Sequence, residues 1–124
     1  MDLKQEIEEH NEKLYEDNRE LMKDNFNKYN KVQYNGTFKF IAKEIRESKK
    51  GNWTISFVCP FCFDKYRKNG EPYSKAINKI HTHGLGDEEK EKGYVDGRSS
   101  HCNKMFDYII YICDDTKIVH YKND

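Results

Sequence analysis

The chain has 124 residues, which fits one small domain and excludes a multidomain enzyme or a doubly wound or barrel architecture. Apolar residues make up only 35% of it and charged residues another 35%, so the small core is expected to need a further stabilising feature. The net charge is zero, but the charges are unevenly distributed. Residues 31–83 are basic, with eleven Lys or Arg against four Asp or Glu. Residues 1–30 are acidic, with five Lys or Arg against nine Asp or Glu, and so are residues 84–124, with six against nine. This balance argues against general coating of nucleic acid and permits a local basic face in the middle third.

The first ten residues, MDLKQEIEEH, are acidic and polar, whereas a signal peptide begins with a basic and then an apolar segment. No run reaches the roughly 18–20 apolar residues of a membrane span. We therefore expect a soluble, intracellular protein with no membrane contact. In a reducing compartment a Cys-x-x-Cys pair indicates a metal site more often than a disulfide, so a metal ion is the expected stabilising feature.

The N-terminal stretch from residue 2 to about 30 contains neither Gly nor Pro and is rich in Glu, Lys, Leu and Asn, which predicts one long helix. Polar residues interrupt its apolar side, so an isolated coiled coil is not expected. Leu14, Leu21 and Phe26 are expected to dock the helix on its own domain or on a partner. Homodimerisation through this helix is an alternative role for the same residues.

Residues 1–34 are predicted to form this N-terminal segment, and residues 35–124 one α+β domain. The predicted elements of that domain are a strand at 37–42, a strand at 53–58, a helix at 72–81, a loop at 84–100, a strand at 106–113 and a short return strand at 117–121. The first two strands are expected to form a hairpin. With the cysteines considered next, this predicts a small antiparallel sheet with a zinc-ribbon-like or treble-clef-like metal site.

Three clusters of metal donors follow one another along the chain. The segment Cys59–Cys62 (C-P-F-C) comes directly after a predicted strand, and its tight turn lets both sulfur atoms face one ion. The segments His81–His83 (H-T-H) and His101–Cys102 supply four more donors. A structural zinc site needs four ligands, so the sequence predicts a Zn²⁺ site and offers two donors more than it requires.

Strand pairing suggests which donors meet. If the strand that ends at residue 58 pairs antiparallel with the strand that begins near residue 106, Cys59 and Cys62 lie beside Cys102, which is then the third ligand. Neighbouring residues of an extended chain point in opposite directions, so His101 is not expected to bind the same ion as Cys102.

The fourth ligand is expected from the His-x-His segment, with His83 preferred, His81 as its close substitute and His101 as a further reserve. An alternative set is the two-cysteine, two-histidine pattern that WRKY-like zinc domains show: Cys59, Cys62, His81 and His83. That set leaves Cys102 unused. Cys113 lies in an apolar predicted strand and is expected to be a small buried core residue.

Aromatic and basic residues alternate between the first two donor clusters, in the segment FCFDKYRKNGEPYSKAINKI. Aromatic rings can stack on unpaired bases while Lys and Arg neutralise phosphates. The alternative is that the rings pack beneath the metal and the cations form a solvated face. The candidate nucleic-acid-binding residues are Phe61, Lys65, Tyr66, Arg67, Lys68, Lys75 and Lys79, with Arg98 on a later glycine-containing stretch.

The motif order C-P-F-C, K-Y-x-K-N-G-E-P, I-H-T-H-G and R-x-S-H-C over residues 59–102 resembles a group of short zinc-binding proteins of large double-stranded DNA viruses. The resemblance covers roughly a third of the chain and leaves the N-terminal helix outside it. It implies a viral protein that acts in the cytoplasm or nucleus of an infected cell or is packaged in the virion. It implies no known reaction.

These observations favour a zinc-stabilised binding module for nucleic acid or a nucleoprotein complex over an enzyme. A zinc deaminase would need H-x-E followed by P-C-x-x-C, whereas the pair here is C-P-F-C. One alternative is a protein-interaction or virion structural factor that uses the N-terminal helix. A second is a metal-dependent nuclease with His81 or His101 as base and Arg98 on a phosphate. No catalytic residue is predicted.

Overall fold

The computed structural model describes residues 2–23, 33–101 and 105–121, with the backbone alone at residue 101. Its elements, in chain order, are α1 (Leu3–Asp17), α2 (Arg19–Lys23), β1 (Gln33–Ile41), β2 (Glu44–Glu47), β3 (Trp53–Val58), α3 (Pro60–Lys68), α4 (Tyr73–Ala76), β4 (Ile80–Leu85), α5 (Asp87–Lys92), β5 (Tyr94–His101), β6 (Met105–Tyr111) and β7 (Lys117–Val119). The α+β class is confirmed. Within the described ranges no helix combines the length and the apolar character that crossing a membrane requires.

The strands form two sheets, of three strands in the order β1-β6-β5 and of four strands in the order β4-β3-β2-β7. In the second sheet β3 pairs antiparallel with β2 and β4, whereas β7 runs parallel to β2. The prediction of one small antiparallel sheet is therefore corrected to two sheets, one of them mixed.

The chain forms two compact units, one of Met1–Phe40 with Asp96–Ile109 and the other of Ile41–Val95 with Ile110–Asp124. The predicted separate role of residues 1–34 stays a prediction.

In the first unit, Asn11 of α1 and Asn18, the residue that caps the end of α1, hydrogen-bond the backbone of β1. Asn11 Nδ2 donates to the Lys39 carbonyl oxygen at 2.6 Å, and Asn11 Oδ1 accepts the Lys39 N–H at 2.9 Å. About two turns further along the helix, Asn18 Nδ2 donates to the Asn35 carbonyl oxygen at 3.0 Å, and its Oδ1 accepts the Asn35 N–H at 2.7 Å. Among the described strands β1 has a neighbour only on its β6 side, so these amides satisfy backbone groups on its open edge.

The predicted long helix is interrupted at Asn18, where α1 ends and α2 begins one residue later. Asn18 is completely buried, and its Nδ2 also donates to the Leu14 carbonyl oxygen at 2.8 Å. In all of these bonds the partner of its side-chain amide is a backbone group. Its backbone, with φ −100° and ψ 9°, is not helical. Of the predicted docking residues, Leu21 is half-buried, Leu14 lies against Gly36 of β1, and Phe26 lies outside the described residues.

Aromatic rings fill the core of this unit. Phe38 meets Phe106 edge-on at 6.0 Å between ring centroids, and Phe40 meets Tyr108 at 6.0 Å. All four rings are buried. Phe106 and Tyr108 lie two residues apart on β6, so the strand predicted at 106–113 is confirmed as far as Tyr111, with its alternate residues facing the core. Its last two predicted positions lie in the loop that follows.

The second unit is centred on β3, where Ile55 and Phe57 are fully buried. Its hairpin partner is β2, in register from Glu44 opposite Ser56 to Glu47 opposite Trp53. The predicted hairpin between residues 37–42 and 53–58 is therefore wrong. Because β2 is four residues long and places one buried apolar side chain among charged ones, the hydrophobic pattern does not reveal it.

Several predictions between residues 60 and 121 also need correction. The helix predicted at 72–81 is only the four-residue α4, and its last positions begin strand β4. The predicted loop at 84–100 holds α5 and most of β5, and α3 was not predicted at all. The short strand predicted at 117–121 exists as β7, but it pairs with β2.

Candidate metal centre

Two cysteines lie at the start of α3. The chain leaves β3 at Val58, and Cys59 is the N-cap of the helix, with extended backbone at φ −75° and ψ 117°. Pro60 occupies the first turn, where a missing N–H costs nothing, and the Cys62 N–H donates to Cys59 Sγ at 3.5 Å. Cys59 is fully buried and Cys62 half-buried. Both sulfur atoms thus lie at the end of the helix that favours negative charge.

Strand β4 brings a histidine to these sulfur atoms. In the antiparallel pairing of β3 with β4, His81 lies opposite Phe57. Phe57 is next to the last residue of β3, and the chain continues from β3 into Cys59. The imidazole of His81 stacks on the Phe57 ring at 5.4 Å between centroids, which holds its orientation. His81 Nε2 lies 3.9 Å from Cys62 Sγ.

One ligand atom each from Cys59, Cys62 and His81 all lie within 4.8 Å of one another. Bond lengths of about 2.3 Å to sulfur and 2.0–2.1 Å to nitrogen put a sulfur and a nitrogen ligand of a tetrahedral zinc ion about 3.5–3.6 Å apart. The observed 3.9 Å between Cys62 Sγ and His81 Nε2 exceeds that separation by about 0.3 Å. These three residues could therefore hold a metal ion.

His83, the preferred histidine of the sequence prediction, lies two residues beyond His81 on β4, opposite Ile55. Side chains two residues apart on a strand project from the same face, so both imidazoles lie on the side of the sheet that carries Phe57. Both histidines are half-buried. The group that the structure brings together contains His81, and the ligand role of His83 stays a prediction.

The ligand roles predicted for Cys102 and His101 stay predictions. Cys102 lies outside the described residues, and His101 ends β5, whose last residues belong to the first unit. The argument for Cys102 required β3 to pair with β6, and this pairing is wrong because β3 lies between β4 and β2. Cys113 is half-buried in the loop after β6, where its N–H donates to Thr116 Oγ1 at 3.1 Å. None of the three cysteines that the structure describes forms a disulfide.

The predicted nucleic-acid-binding residues of the second unit lie on and beside α3. Lys65, Arg67 and Lys68 are exposed in its last turns, and Lys79 Nζ lies 4.0 Å from the centre of the Tyr66 ring. The full set is distributed as Phe61, Lys65, Tyr66, Arg67 and Lys68 on α3, Lys75 on α4, Lys79 before β4, and Arg98 on β5 in the first unit. The structure thus brings seven of the eight predicted residues into one unit.

Some of these cations already have partners. Arg67 Nη1 donates to the Glu71 carbonyl oxygen at 3.1 Å, and Lys75 Nζ lies 3.9 Å from a Glu71 carboxylate oxygen. Arg98 Nη1 donates to the Asp96 carbonyl oxygen at 3.2 Å. Tyr73, not among the predicted site residues, is 59% exposed, with its ring edge-on to Phe63 at 5.6 Å. Its place in the alternating aromatic and basic segment was the available signal.

Comparison of the chain with models of known protein families, with curated protein sequences and with solved structures finds no match. The resemblance to zinc-binding proteins of large DNA viruses therefore stays a prediction from the motif order alone.

Proposed function

We propose that the protein is a nucleic-acid-binding module whose fold is stabilised by one structural Zn²⁺ ion, held by Cys59, Cys62, His81 and His83. The observation that carries the metal part of the proposal is the convergence of ligand atoms from Cys59, Cys62 and His81 within 4.8 Å. Two thiolates with imidazole favour zinc over the hard cations, which prefer oxygen ligands. The hairpin β2–β3 followed by a cysteine pair at a helix start also supports a treble-clef-like arrangement.

His83 is the best fourth ligand within the described part of the chain. It shares a strand and a sheet face with His81, so a change of side-chain rotamer moves its imidazole towards the sulfur atoms without a change of strand register. This gives the two-cysteine, two-histidine set that was the alternative in the sequence prediction. Four protein ligands leave no position for a metal-bound water, which is the arrangement of a structural site.

The nucleic-acid part of the proposal rests on the far end of α3. The helix begins at the cysteines and ends with exposed Lys65, Arg67 and Lys68, so the metal would fix the direction in which these cations project. The exposed ring of Tyr73 on the adjacent α4 offers a stacking surface for a base. Cations beside an exposed aromatic ring are typical of single-strand binding.

Metal content and cobalt spectroscopy test the metal site. We expect one zinc per purified chain and, after exchange, the intense visible bands of tetrahedral Co²⁺ with thiolate ligands. Cys62→Ser and His81→Asn should abolish stoichiometric binding, and His83→Asn should weaken it or leave a site open to water. Cys113→Ser is the matched control and should bind as the natural chain does. Absence of a bound ion, or full binding by Cys62→Ser, would contradict the proposal.

Removal of the ion tests its structural role. Structural zinc contributes on the order of 10 kcal/mol to the folding of small metal domains, so a strong chelator should unfold the second unit. Circular dichroism and hydrogen exchange at β3 and β4 would measure this. Unchanged protection of these strands in protein shown to be free of metal would refute a structural site.

Nucleic-acid binding is tested by charge removal at matched positions. Replacing Lys65, Arg67 and Lys68 by Gln should weaken binding of a short single strand. It should also make the plot of log association constant against log salt concentration less steep, by up to about 2 units of slope. The control variant carries the same loss of charge at exposed lysines elsewhere: Lys4, Lys13 and Lys50. Equal weakening in both variants, or no binding at low salt, would show that the end of α3 is not the binding surface.

A further inference from the structure

A cleft in the second unit lies away from the cysteines. It has a volume of about 460 Å³ and opens between the β2–β3 turn and the link from β4 to α5. Its lining consists of Gly51, Asn52, Trp53, Gly84, Leu85, Gly86, Asp87 and Glu89. A Cβ atom added at Gly51 or Gly84 would meet nothing within 4 Å, so the absence of side chains there leaves real space. The volume is within the range of small-molecule sites.

The indole of Trp53 already makes a cation–π contact within the protein. Lys90 Nζ, on α5, lies 3.9 Å from the centre of the Trp53 ring, a distance at which the negative face of the ring attracts an ammonium group. His120 contacts the same ring edge-on at 5.4 Å, which restrains the indole from another side. Trp53 is thus an aromatic ring of restrained orientation in the lining of the cleft. Its contact with Lys90 shows that the ring attracts an ammonium group.

The charge of the lining agrees with this preference. Asp87 and Glu89 contribute two carboxylates to the cleft and no lining residue is basic. Glu89 is held by the Gly86 N–H, which donates to its Oε1 at 3.1 Å, so this carboxylate keeps its place at the cleft wall. Aromatic and acidic groups together attract an organic cation, and the two carboxylates repel a ligand that also carries a phosphate.

We propose that this cleft binds a small alkylated ammonium ion, with Trp53 facing the cation and Asp87 and Glu89 supplying the counter-charge. Lys90 acts as an internal competitor, because its ammonium group already lies against the Trp53 ring and repels a second cation that approaches the same ring. The site is independent of the proposed metal centre and of the basic end of α3.

The single tryptophan of the chain makes the test direct, because all tryptophan fluorescence reports on Trp53. Titration of the full chain with tetramethylammonium and with choline should give a saturable change that sodium chloride at equal ionic strength does not give. The neutral choline analogue 3,3-dimethyl-1-butanol should give no saturable change. Phosphocholine should bind more weakly than choline; equal or tighter binding of phosphocholine would instead identify a headgroup as the source of the cation.

Two variants decide whether the site is the cleft. Lys90→Met should tighten choline binding about two- to fivefold, and Asp87→Asn should weaken it by a similar factor. The matched control is Lys92→Met, which removes the same charge from α5 but whose ammonium lies 5.9 Å from the Tyr94 ring instead. A saturable response to the neutral analogue, equal effects of the two lysine variants, or no response to either cation would overturn the proposal.

Discussion

The contact between Gly36 and Leu14 yields a quantitative prediction about how α1 is held on β1. Gly36 has φ +87°, in the left-handed region, and a Cβ atom built there lies 2.5 Å from Leu14 Cδ2. Gly36→Ala therefore meets two penalties. The left-handed conformation costs a residue with a Cβ about 1–2 kcal/mol, and turning the end of the half-buried Leu14 side chain away from the new methyl group costs about 0.5–1.5 kcal/mol.

The second penalty can be isolated with a matched glycine in the same unit. Gly97 also has positive φ, at +64°, but a Cβ there meets nothing within 4 Å. Gly97→Ala should therefore show the backbone penalty alone. Both substitutions reduce the entropy of the unfolded chain equally, so that effect cancels in the comparison. We expect Gly36→Ala to lower the free energy of unfolding by about 0.5–1.5 kcal/mol more than Gly97→Ala does.

Urea denaturation measures the free energy of unfolding of both variants. If m, the dependence of that free energy on urea concentration, is the same in both, a shift of the midpoint reports a change of stability. A third measurement places the clash at Leu14. In a Leu14→Ala background the extra cost of Gly36→Ala should disappear, because the methyl groups that it meets are gone. Equal costs at the two glycines, or an extra cost that survives in the Leu14→Ala background, would refute the close packing of α1 on β1.

Three further predictions concern hydrogen bonding and ionisation. Asn18→Ala should lower the free energy of unfolding by about 2–4 kcal/mol, because it leaves the N–H and carbonyl of Asn35 without their side-chain partner. Urea denaturation measures this loss, and a loss below about 0.5 kcal/mol would contradict the prediction. Burial raises the pKa of Tyr34 to about 12, so only the unfolded phenol ionises near its ordinary pKa of 10. The free energy of unfolding should thus fall by about 2 kcal/mol as pH rises from about 10 to 12, and Tyr34→Phe should remove that part of a denaturation series in pH. A hydrogen bond from Arg46 lowers the pKa of Glu44, so Arg46→Gln should raise that pKa in an NMR titration, and an unchanged value would exclude the bond. The lowered pKa stabilises the fold above the ordinary pKa of Glu44, and this stabilisation is lost as pH falls through the lowered value.

The predictable part of the fold consists of segments whose own pattern determines them. Residues 53–58 and 105–111 are apolar, β-branched or aromatic except for Ser56 and Asp107, and both are central strands of their sheets. The burial of Asn11 and Asn18 could not be predicted, because polar residues in a helix ordinarily face water and only the open edge of β1 gives them partners. The pairing of strands is likewise a tertiary property, which the hydrophobic period does not specify.

The candidate site shows the same division. The C-P-F-C turn identified two donors, because its spacing fixes their geometry locally. The choice between His81 and His83 depends on the register of β4 against β3, and only that register places His81 opposite Phe57 beside the cysteines. The case for Cys102 failed because it rested on a pairing between strands that belong to different sheets.

The order of β2, β3, α3, α4 and β4 along the chain has a consequence for biosynthesis. These elements occupy the uninterrupted stretch from Glu44 to Leu85, and each of their three strands pairs with another strand of the same stretch. All four proposed ligands lie inside it. Contacts that are local in sequence form early, so we expect the donor group to assemble during translation, before β7 leaves the ribosome.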